Sequence, residues 1–503
     1  MLNALQLENF KGFAERQRIE FSPLTLLFGA NNAGKSTVIQ SLLFLHEVLE
    51  RGSPDVDRTE LGGAVLELGG LARLVHRHDL DRTLAVRAEF STTGELNWMG
   101  RDLEGTGTLL AELDDALRTA WVEVSATHRL TSRRHEAVVD KLTVGSGEAP
   151  LVTVEVSPKL REGEPLLMRV HLGHPLLAPQ SERLMASWED FAVPERVSAS
   201  AKAADLSLLF AISSSRPSAV PLLSEPIQLV GVAGAASAAF VEIQTFLEMA
   251  VTGVLRQLVN ELRGALYVGP LRSIPPRGFL YEKTGRLSSW ADGLAAWDVL
   301  LSDRAGLVDR TNAWLDRIDA GCEIAAQSLF EAQATAEAIS EEHADSTVRR
   351  LLLRVSGGTP VLPSEVGAGI SQVVPVVVAS VYGRPPLFIA EQPELHVHPS
   401  MQTGLGDVLV DAATREQGRR AVVVETHSEH LILRLLRRIR ETSSGELPQE
   451  APSLRPSDLS VLWVEATDAG TTVRRLRVSE AGEFIDAWPR GFFDERFQEV
   501  YGP

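Results

Sequence analysis

The spacing of apolar residues at the start of the chain predicts strand, loop and helix in succession. Apolar side chains alternate over residues 5–7 and 19–21, as in strands with one buried face. Leu24–Phe28 is almost entirely apolar, which is typical of a strand covered on both faces. Glycine-rich sequence follows, and residues 37–49 then carry apolar side chains at helical spacing.

The middle of the chain changes from strand to helix patterns. Residues 83–90, 121–125 and 151–156 are β-branched and partly alternating, and they predict an antiparallel sheet lobe. From about residue 201 to residue 263 the spacing predicts helix, most clearly over 240–262.

The C-terminal half predicts strands that alternate with helices. Helical patterns cover residues 291–301 and 306–318, and residues 331–345 form an acidic loop or helix face. A hairpin is predicted over 459–478, and strands are predicted at 266–268, 348–355, 386–390 and 421–424. This alternation indicates an α/β fold with a mainly parallel core sheet beside the antiparallel lobe.

Composition narrows the classes of function. The 503 residues include 49 Lys plus Arg against 67 Asp plus Glu, a net charge of -18, which argues against a protein that coats duplex DNA. Cys322 is the single cysteine, so neither an intrachain disulfide nor a thiolate zinc cluster can form. No signal peptide is predicted, and the uncharged residues 366–383 contain three glycines and a proline, so they do not predict a membrane span. We expect a cytoplasmic protein that does not bind membranes.

The loop after the third predicted strand fits the pattern G-x-x-x-x-G-K-[ST]. Its glycines let backbone N–H groups surround a polyphosphate, and the helix N-terminus adds a positive dipole. We expect Lys35 to reach the β and γ phosphates of ATP and Ser36 to hold Mg²⁺. A chance match in a glycine loop is the alternative. The candidate nucleotide-binding residues are Gly29, Ala30, Asn31, Asn32, Ala33, Gly34, Lys35, Ser36 and Thr37.

Several segments resemble a known group of ATPases. Residues 5–11 and the phosphate loop are very similar to the N-termini of ABC-type ATPases of the RecF, SMC and OLD (overcoming lysogenization defect) group. The resemblance covers both ends and is thin between residues 95 and 264. Bacterial members with a short C-terminal domain of unknown function resemble the chain in four further segments: GPLR at 269–272, EQPELHVHP at 391–399, THSEH at 426–430 and WPRGFFDE at 488–495.

The resemblance implies an ATPase head that is interrupted by an insertion. Residues 1–95 and 264–455 are the two parts of this head, with the phosphate loop in the first. Residues 96–263 are a mixed strand and helix insertion, and residues 456–503 are a small C-terminal domain. The implied cofactors are ATP and Mg²⁺.

The resemblance also assigns roles to residues after the strand that ends at residue 390. Glu391 is expected to hold Mg²⁺ together with Ser36. Gln392 stands where this class usually has the carboxylate that polarises the attacking water, and an amide can orient water but cannot take a proton. Glu394 is a candidate general base, with a helix cap or a salt bridge as the alternative.

Two further segments complete the expected site. His427 resembles the switch histidine that contacts the γ-phosphate, and a packed structural histidine is the alternative. Residues 365–372, the signature segment, resemble the ABC signature through Gly367 and Gly369, with Ser371 as a hydroxyl donor one turn later. In relatives this segment caps a nucleotide held by another subunit, so we expect a homodimer or higher oligomer. A plain glycine turn before a core helix is the alternative.

Histidine pairs and arginines leave other readings open. His76 with His78, and His396 with His398, could ligate a metal, but no third ligand is evident, and the second pair matches the dimer-contacting D-loop of the family. Arg272 and Arg277 are expected to contact nucleotide, DNA or only carboxylates. Four arginines on the helix after His427 form either a nucleic-acid or partner patch or a solvated face paired with acids: Arg434, Arg437, Arg438 and Arg440.

Two activities of related proteins are not expected here. Too few residues follow Asp468 for a Toprim nuclease domain, and the insertion lacks the sustained heptads of SMC arms. The leading hypothesis is an ATPase that dimerises around ATP and acts on nucleic acid, DNA or RNA, or on a partner effector protein in bacterial anti-phage defence. The alternatives are a low-turnover, nucleotide-gated scaffold and a RecF-like DNA-repair ATPase.

Overall fold

The computed structural model of the chain describes residues 1–92, 108–130, 135–156, 165–193, 206–230, 237–279, 289–302, 306–329, 348–355, 358–383, 385–415, 420–489 and 502. The acidic segment 331–345 and most of the WPRGFFDE segment lie outside these residues. The strands are β1 Leu2–Glu8, β2 Gln17–Glu20, β3 Leu24–Phe28, β4 Leu84–Ser91, β5 Thr119–Leu130, β6 His135–Ser146, β7 Ala149–Glu155, β8 Leu166–His171, β9 Ser207–Ile212, β10 Leu266–Val268, β11 Cys322–Leu329, β12 Val348–Val355, β13 Leu387–Glu391, β14 Ala421–Glu425, β15 Leu459–Thr467 and β16 Gly470–Leu476.

The α-helices are distributed over the whole described chain. Their bounds are α1 Lys35–Arg51, α2 Leu71–Leu74, α3 Thr108–Ala116, α4 Ser181–Trp188, α5 Ala238–Leu247, α6 Val254–Arg263, α7 Leu294–Ser302, α8 Leu307–Arg317, α9 Ala368–Val381, α10 Pro399–Thr414 and α11 Glu429–Ser444. A short π-helix, Glu248–Gly253, joins α5 to α6.

A six-stranded sheet in the order β10-β13-β14-β3-β15-β16 forms the centre of the α/β half. Its strands are parallel except for the edge strand β16. The sheet separates two apolar cores, since Leu27 packs into one core and Leu26 and Phe28 pack into the other. Burial on both faces is the reason why β3, β13 and β14 are apolar almost throughout.

An eight-stranded antiparallel sheet in the order β2-β1-β4-β5-β6-β7-β8-β9 forms the second layer. It confirms the predicted antiparallel lobe and the α/β class. Strands β5 to β9 lie within the predicted insertion and continue the sheet that β1, β2 and β4 begin. The division at residues 95 and 96 therefore falls inside one continuous sheet.

Three sequence expectations about elements differ from the structure. The helical pattern predicted from residue 201 includes strand β9, because a short apolar run carries no period that separates strand from helix. Strand β12 pairs with β11 in a separate antiparallel sheet and is not part of the parallel core. The predicted C-terminal hairpin is present, but β15 runs parallel to β3 within the central sheet.

One helical stretch of the described residues, Ala238–Arg263, is long and apolar enough to cross a membrane. Its most apolar window is 61% buried inside the protein, and α6 packs against α1. A buried core helix passes the same test of length and hydropathy, so this stretch is weak evidence for a membrane span.

Candidate functional site

The carboxyl ends of three parallel strands bring the predicted site residues to one edge of the central sheet. Glu391 at the end of β13 is the register partner of Glu425 at the end of β14. Glu425 is in turn the partner of Leu27 in β3, which leads into the phosphate loop. In open parallel sheets ligands bind at this edge, because the strands end there and the following helices begin.

The phosphate loop takes a backbone shape that glycine permits. Gly29 has φ 149° and Gly34 has φ 108°. A Cβ atom at Gly29 would lie 2.1 Å from the carbonyl oxygen of Val464 in β15. Helix α1 begins at Lys35, so the first N–H groups of the helix lie at the loop; among them, the N–H of Thr37 donates to the carbonyl oxygen of Gly34 (3.1 Å). The C-terminal hairpin thus forms a wall of the predicted phosphate site.

Lys35 and Ser36 both contact Glu425, which the sequence did not single out. The Lys35 Nζ donates to the carbonyl oxygens of Gly29 (3.1 Å) and Ala30 (2.9 Å) and lies 3.9 Å from Oε1 of Glu425. The Ser36 hydroxyl donates to Oε2 of Glu425 (2.7 Å). Burial lowers the pKa of Lys35 against the opposing effect of nearby carboxylates. The available signal for Glu425 is a carboxylate that directly follows an apolar strand.

Glu391 is buried, with 6% of its surface exposed. The hydroxyl of Tyr267 at β10 donates to Oε1 of Glu391 at 2.9 Å. Burial and then the charge of Glu425 raise the pKa of Glu391 from 4.5 to about 7. Two carboxyl groups that face each other in a buried site, beside a serine hydroxyl, are oxygen ligands of the kind Mg²⁺ prefers. The residues therefore fit a divalent cation that accompanies a nucleotide.

Gln392 begins a strained turn directly after β13. Its φ is 44°, and its backbone N–H donates to the carbonyl oxygen of Glu425 (2.7 Å). The Arg272 guanidinium donates to the carbonyl oxygens of Glu391 (2.7 Å) and Gln392 (3.0 Å). This turn is therefore held by a hydrogen bond between two backbone groups and by hydrogen bonds from the Arg272 side chain to two backbone carbonyl oxygens.

Arg272 also contacts Gln372, the last residue of the signature segment, which lies within helix α9. Its backbone N–H donates to the Gln372 side chain (3.2 Å), and the Gln372 amide donates back to the carbonyl oxygen of Arg272 (2.6 Å). Burial lowers the pKa of Arg272 to about 10. The hydrogen bonds of Arg272 thus go to backbone carbonyls and to Gln372, while Arg277 lies exposed, 3.7 Å from Glu365.

Glu394 and His427 are in contact at the same edge. The backbone N–H of His427 donates to Oε1 of Glu394 (2.7 Å). In the described part of the chain, Oε2 of Glu394 and Nε2 of His427 are buried without a hydrogen-bond partner. Burial raises the pKa of Glu394 and lowers that of His427, where the charge of Lys35 also contributes. The contact explains why the EQPE and THSEH segments both belong to one site.

The signature segment lies next to the predicted D-loop. Gly367 caps α9, and a Cβ atom there would meet nothing within 4 Å. A Cβ atom at Gly369 would lie 3.0 Å from the carbonyl oxygen of His396. Ser371 is fully buried, and its hydroxyl faces the carbonyl oxygen of Pro363 at 3.5 Å. The two glycines thus lie at the start of the helix, and the serine lies within its packed side.

Three of the four histidines in the two pairs have local hydrogen-bond partners. Nδ1 of His76 lies 2.7 Å from the carbonyl oxygen of Lys11, and Nδ1 of His78 lies 3.0 Å from that of Ala72. His398 caps helix α10 by accepting a hydrogen bond from the backbone N–H of Ser400 (3.3 Å). These contacts give His76, His78 and His398 a structural role in their own loops and caps.

Three of the four arginines singled out on α11 are paired with acids. Arg434 and Arg438 both contact Asp407 in α10 at 2.7 Å. Arg437 contacts Glu441 one turn later at 2.6 Å. The hydrogen bonds that these guanidinium groups donate to carboxylates fix their orientation and neutralise most of the patch.

Family models match two segments of the chain. A model described as an AAA ATPase domain matches residues 1–69. A model described as "AAA domain, putative AbiEii toxin, Type IV TA system" matches residues 303–434. The comparison with curated proteins gave no match.

Solved SMC head structures are similar over most of the chain. The SMC head domain from Thermotoga maritima is 11% identical, with a TM-score of 0.37, over 95% of this chain and 99% of that one. A Smc head with an extended coiled coil, bound to the C-terminal domain of ScpA from Pyrococcus furiosus, is 10% identical, with a TM-score of 0.39, over 95% and 96%. These values carry no argument about function. The predicted phosphate-loop and signature residues, together with Glu391, Gln392, Glu394 and His427, lie in the two segments matched by family models, and there the chain is similar to AAA ATPases.

Proposed function

We propose that this chain binds ATP with Mg²⁺ and hydrolyses it slowly. The observation that carries the proposal is the meeting of Lys35 and Ser36 with the buried carboxylates Glu391 and Glu425 at one sheet edge. Bound Mg²⁺ supplies the positive charge that stabilises the transferring phosphoryl group. Lys35 and the loop N–H groups hold the phosphates, and Ser36 with Glu391 holds the cation.

Glu394 is the proposed general base. Its Oε1 is held by the His427 backbone N–H, and its Oε2 is buried without a partner in the described structure. A raised pKa brings a carboxylate closer to the value that suits proton transfer near neutral pH. Gln392 carries an amide and orients water without taking its proton. His427, through its free Nε2, is the proposed contact to the γ-phosphate.

The proposed active form is a homodimer in which Gly367 and Gly369 approach the nucleotide of the other subunit. Their position at the start of α9 exposes backbone N–H groups suited to an anion. Ser371 is buried and is proposed to hold the segment in place by its packing within the protein.

ATP-driven dimerisation is proposed to act on DNA, RNA or a partner effector in the cytoplasm, in bacterial anti-phage defence. Gln392 favours the second candidate, a low-turnover scaffold, because an amide at this position is a poor catalyst. A RecF-like DNA-repair role finds less support, since Arg434, Arg437 and Arg438 are paired with acids.

The test measures ATP binding, turnover and oligomeric state for the wild type, Lys35→Ala and Glu394→Gln. Lys141→Ala, an exposed lysine in β6, is the matched control for Lys35→Ala. We expect Lys35→Ala to lose ATP binding, because it removes the cation nearest the loop. Glu394→Gln is expected to bind ATP, to lose turnover about 10²- to 10⁴-fold and to accumulate as an ATP-bound dimer.

The same measurements separate the alternatives. A wild type that binds no ATP, or a Lys35→Ala variant that binds it normally, contradicts the central proposal. Negligible turnover together with ATP-driven dimerisation favours the scaffold. Turnover that DNA stimulates, and that declines steeply as salt is raised, favours the RecF-like role.

A further inference from the structure

Glu425 is a buried carboxylate at the centre of the site. It ends β14, between β13 and β3, and only 3% of its surface is exposed. Most of the neighbouring strand residues are apolar, so an ionisable group here has a desolvation cost that specific partners must offset. Its partners come from the phosphate loop, which lies 389 residues earlier in the chain.

The contacts of Glu425 join the phosphate loop to the turn after β13. Its Oε2 accepts the Ser36 hydroxyl proton at 2.7 Å, and its Oε1 lies 3.9 Å from Lys35 Nζ. Its backbone carbonyl accepts the N–H of Gln392 at 2.7 Å. Because the hydroxyl proton of Ser36 is directed at Glu425, the oxygen lone pairs of Ser36 are free to face another partner.

The charges around Glu425 leave room for a cation. The negative charges of Glu425, Glu394 and Glu391 all raise the pKa of Lys35, against the larger effect of burial. Arg272 is the other nearby cation, and its Nη hydrogen bonds go to backbone carbonyls. Carboxyl groups therefore outnumber the fixed cations around this position by three to two, which favours the approach of a further cation.

We propose that Glu425 is a positioning residue for the divalent cation, which it orients through the hydroxyl group of Ser36. This inference rests on the proposed binding of ATP with Mg²⁺. Outer-shell partners of metal ligands typically change metal affinity 10- to 100-fold when they are removed. In this proposal, Glu425 and Glu391 together make nucleotide binding depend on the divalent cation.

The test measures the affinity of a fluorescent ADP analogue along a Mg²⁺ titration and in EDTA. In Glu425→Gln we expect the Mg²⁺ concentration at half-maximal enhancement to rise about 10- to 100-fold, with the affinity in EDTA unchanged. In a Ser36→Ala background the same substitution is expected to have no further effect, because the hydroxyl it orients is gone. Glu47→Gln removes a buried carboxylate far along α1 and is expected to leave the Mg²⁺ titration unchanged.

Three outcomes overturn the inference. They are an unchanged Mg²⁺ titration in Glu425→Gln, an equal loss in EDTA, and an effect of full size in the Ser36→Ala background. If Glu425→Gln fails to fold, Glu425→Asp replaces it, because the shorter side chain keeps the charge but moves the carboxylate away from Ser36. An unchanged Mg²⁺ titration in Glu425→Asp also contradicts the inference. A wild type that binds no analogue at any Mg²⁺ concentration refutes the proposed function itself, which separates the two failures.

Discussion

Single residues of the phosphate loop show how close packing and chemistry coincide. Gly29 combines a φ of 149° with a carbonyl oxygen of β15 at the place where a side chain would begin. Lys35 and Ser36 are the first two residues of helix α1, and both contact Glu425. The loop therefore depends on the absence of a side chain at one position and on the presence of charge at another.

Gly29→Ala is expected to destabilise the protein and to abolish nucleotide binding. The new Cβ would lie 2.1 Å from the Val464 carbonyl oxygen, so the loop or β15 must move. Strain and displaced packing of this kind cost about 2–4 kcal/mol. Urea denaturation and ATP binding check the result against Gly278→Ala, where a Cβ meets nothing within 4 Å. Equal stability of both variants contradicts the prediction.

The carboxyl group of Glu391 predicts a pH dependence of stability in the nucleotide-free protein. Its pKa is raised from 4.5 to about 7, so the folded state binds this proton more tightly than the unfolded state. The contribution of Glu391 is therefore most favourable at low pH and is lost as the pH rises from 4.5 through 7. A shift of this size corresponds to about 3 kcal/mol.

Glu391→Gln tests this dependence, because the amide resembles the protonated acid and still accepts the Tyr267 hydroxyl. We expect the variant to be more stable than the wild type at pH 8 and to differ little at pH 5. Urea denaturation in EDTA at the two pH values measures the difference. The prediction is wrong if the stability difference between variant and wild type is the same at both.

At the scale of elements, Arg272 connects two segments of the site. It follows β10 and donates hydrogen bonds to the turn after β13. Its carbonyl oxygen accepts a hydrogen bond from Gln372 in helix α9. A movement of α9 on the proposed dimerisation would therefore reach Gln392 through these hydrogen bonds. The route consists of hydrogen bonds to backbone atoms, so it does not depend on the side chain at residue 392.

Arg272→Met is expected to destabilise the protein by about 2–4 kcal/mol, because it leaves buried carbonyl oxygens without donors. Only 4% of the Arg272 surface is exposed. The control is Arg277→Met, since 78% of that side chain is exposed and surface changes of this kind stay within about 0.5 kcal/mol. Chemical denaturation of both variants gives the comparison. If the two variants lose similar amounts of unfolding free energy, the buried contacts of Arg272 do not stabilise the protein and the prediction is wrong.

At the scale of the molecule, the central sheet is assembled from the two ends of the chain. Strand β3 pairs with β14 on one side and with β15 on the other. Trp488 packs its ring against Phe28 of β3 and against Trp463 of β15. The C-terminal hairpin is thus part of the sheet that carries the phosphate loop.

A chain truncated after residue 455 is therefore expected to be insoluble or to lose cooperative unfolding. Loss of β15 exposes the backbone edge of β3, and unpaired strand edges promote aggregation. Size-exclusion chromatography and thermal unfolding of residues 1–455 check this expectation. A monodisperse product that unfolds cooperatively and binds ATP shows instead that the hairpin is dispensable.

Local sequence patterns were sufficient to predict which residues of the candidate site stand next to one another in the chain. The phosphate loop, the strand before it and the helix after it form one contiguous segment, so spacing and residue type are sufficient to predict them. The strand ending at Glu391 and the segment around His427 are predictable for the same reason, because an apolar run ends directly before Glu391 and directly before the polar segment that contains His427. The placement of β12 and the strand β9 were predicted wrongly, since short apolar runs do not show which partner they pair with.

Contacts between groups that are distant in the chain become visible only in the folded structure. Ser36 and Glu425 are 389 residues apart, and Arg272 reaches Gln392 across 120 residues. Such contacts depend on strand order and register, which no local pattern encodes, because the order of strands in a sheet differs from their order in the chain. The paired arginines of α11 and the place of the C-terminal hairpin in the central sheet follow from the same arrangement.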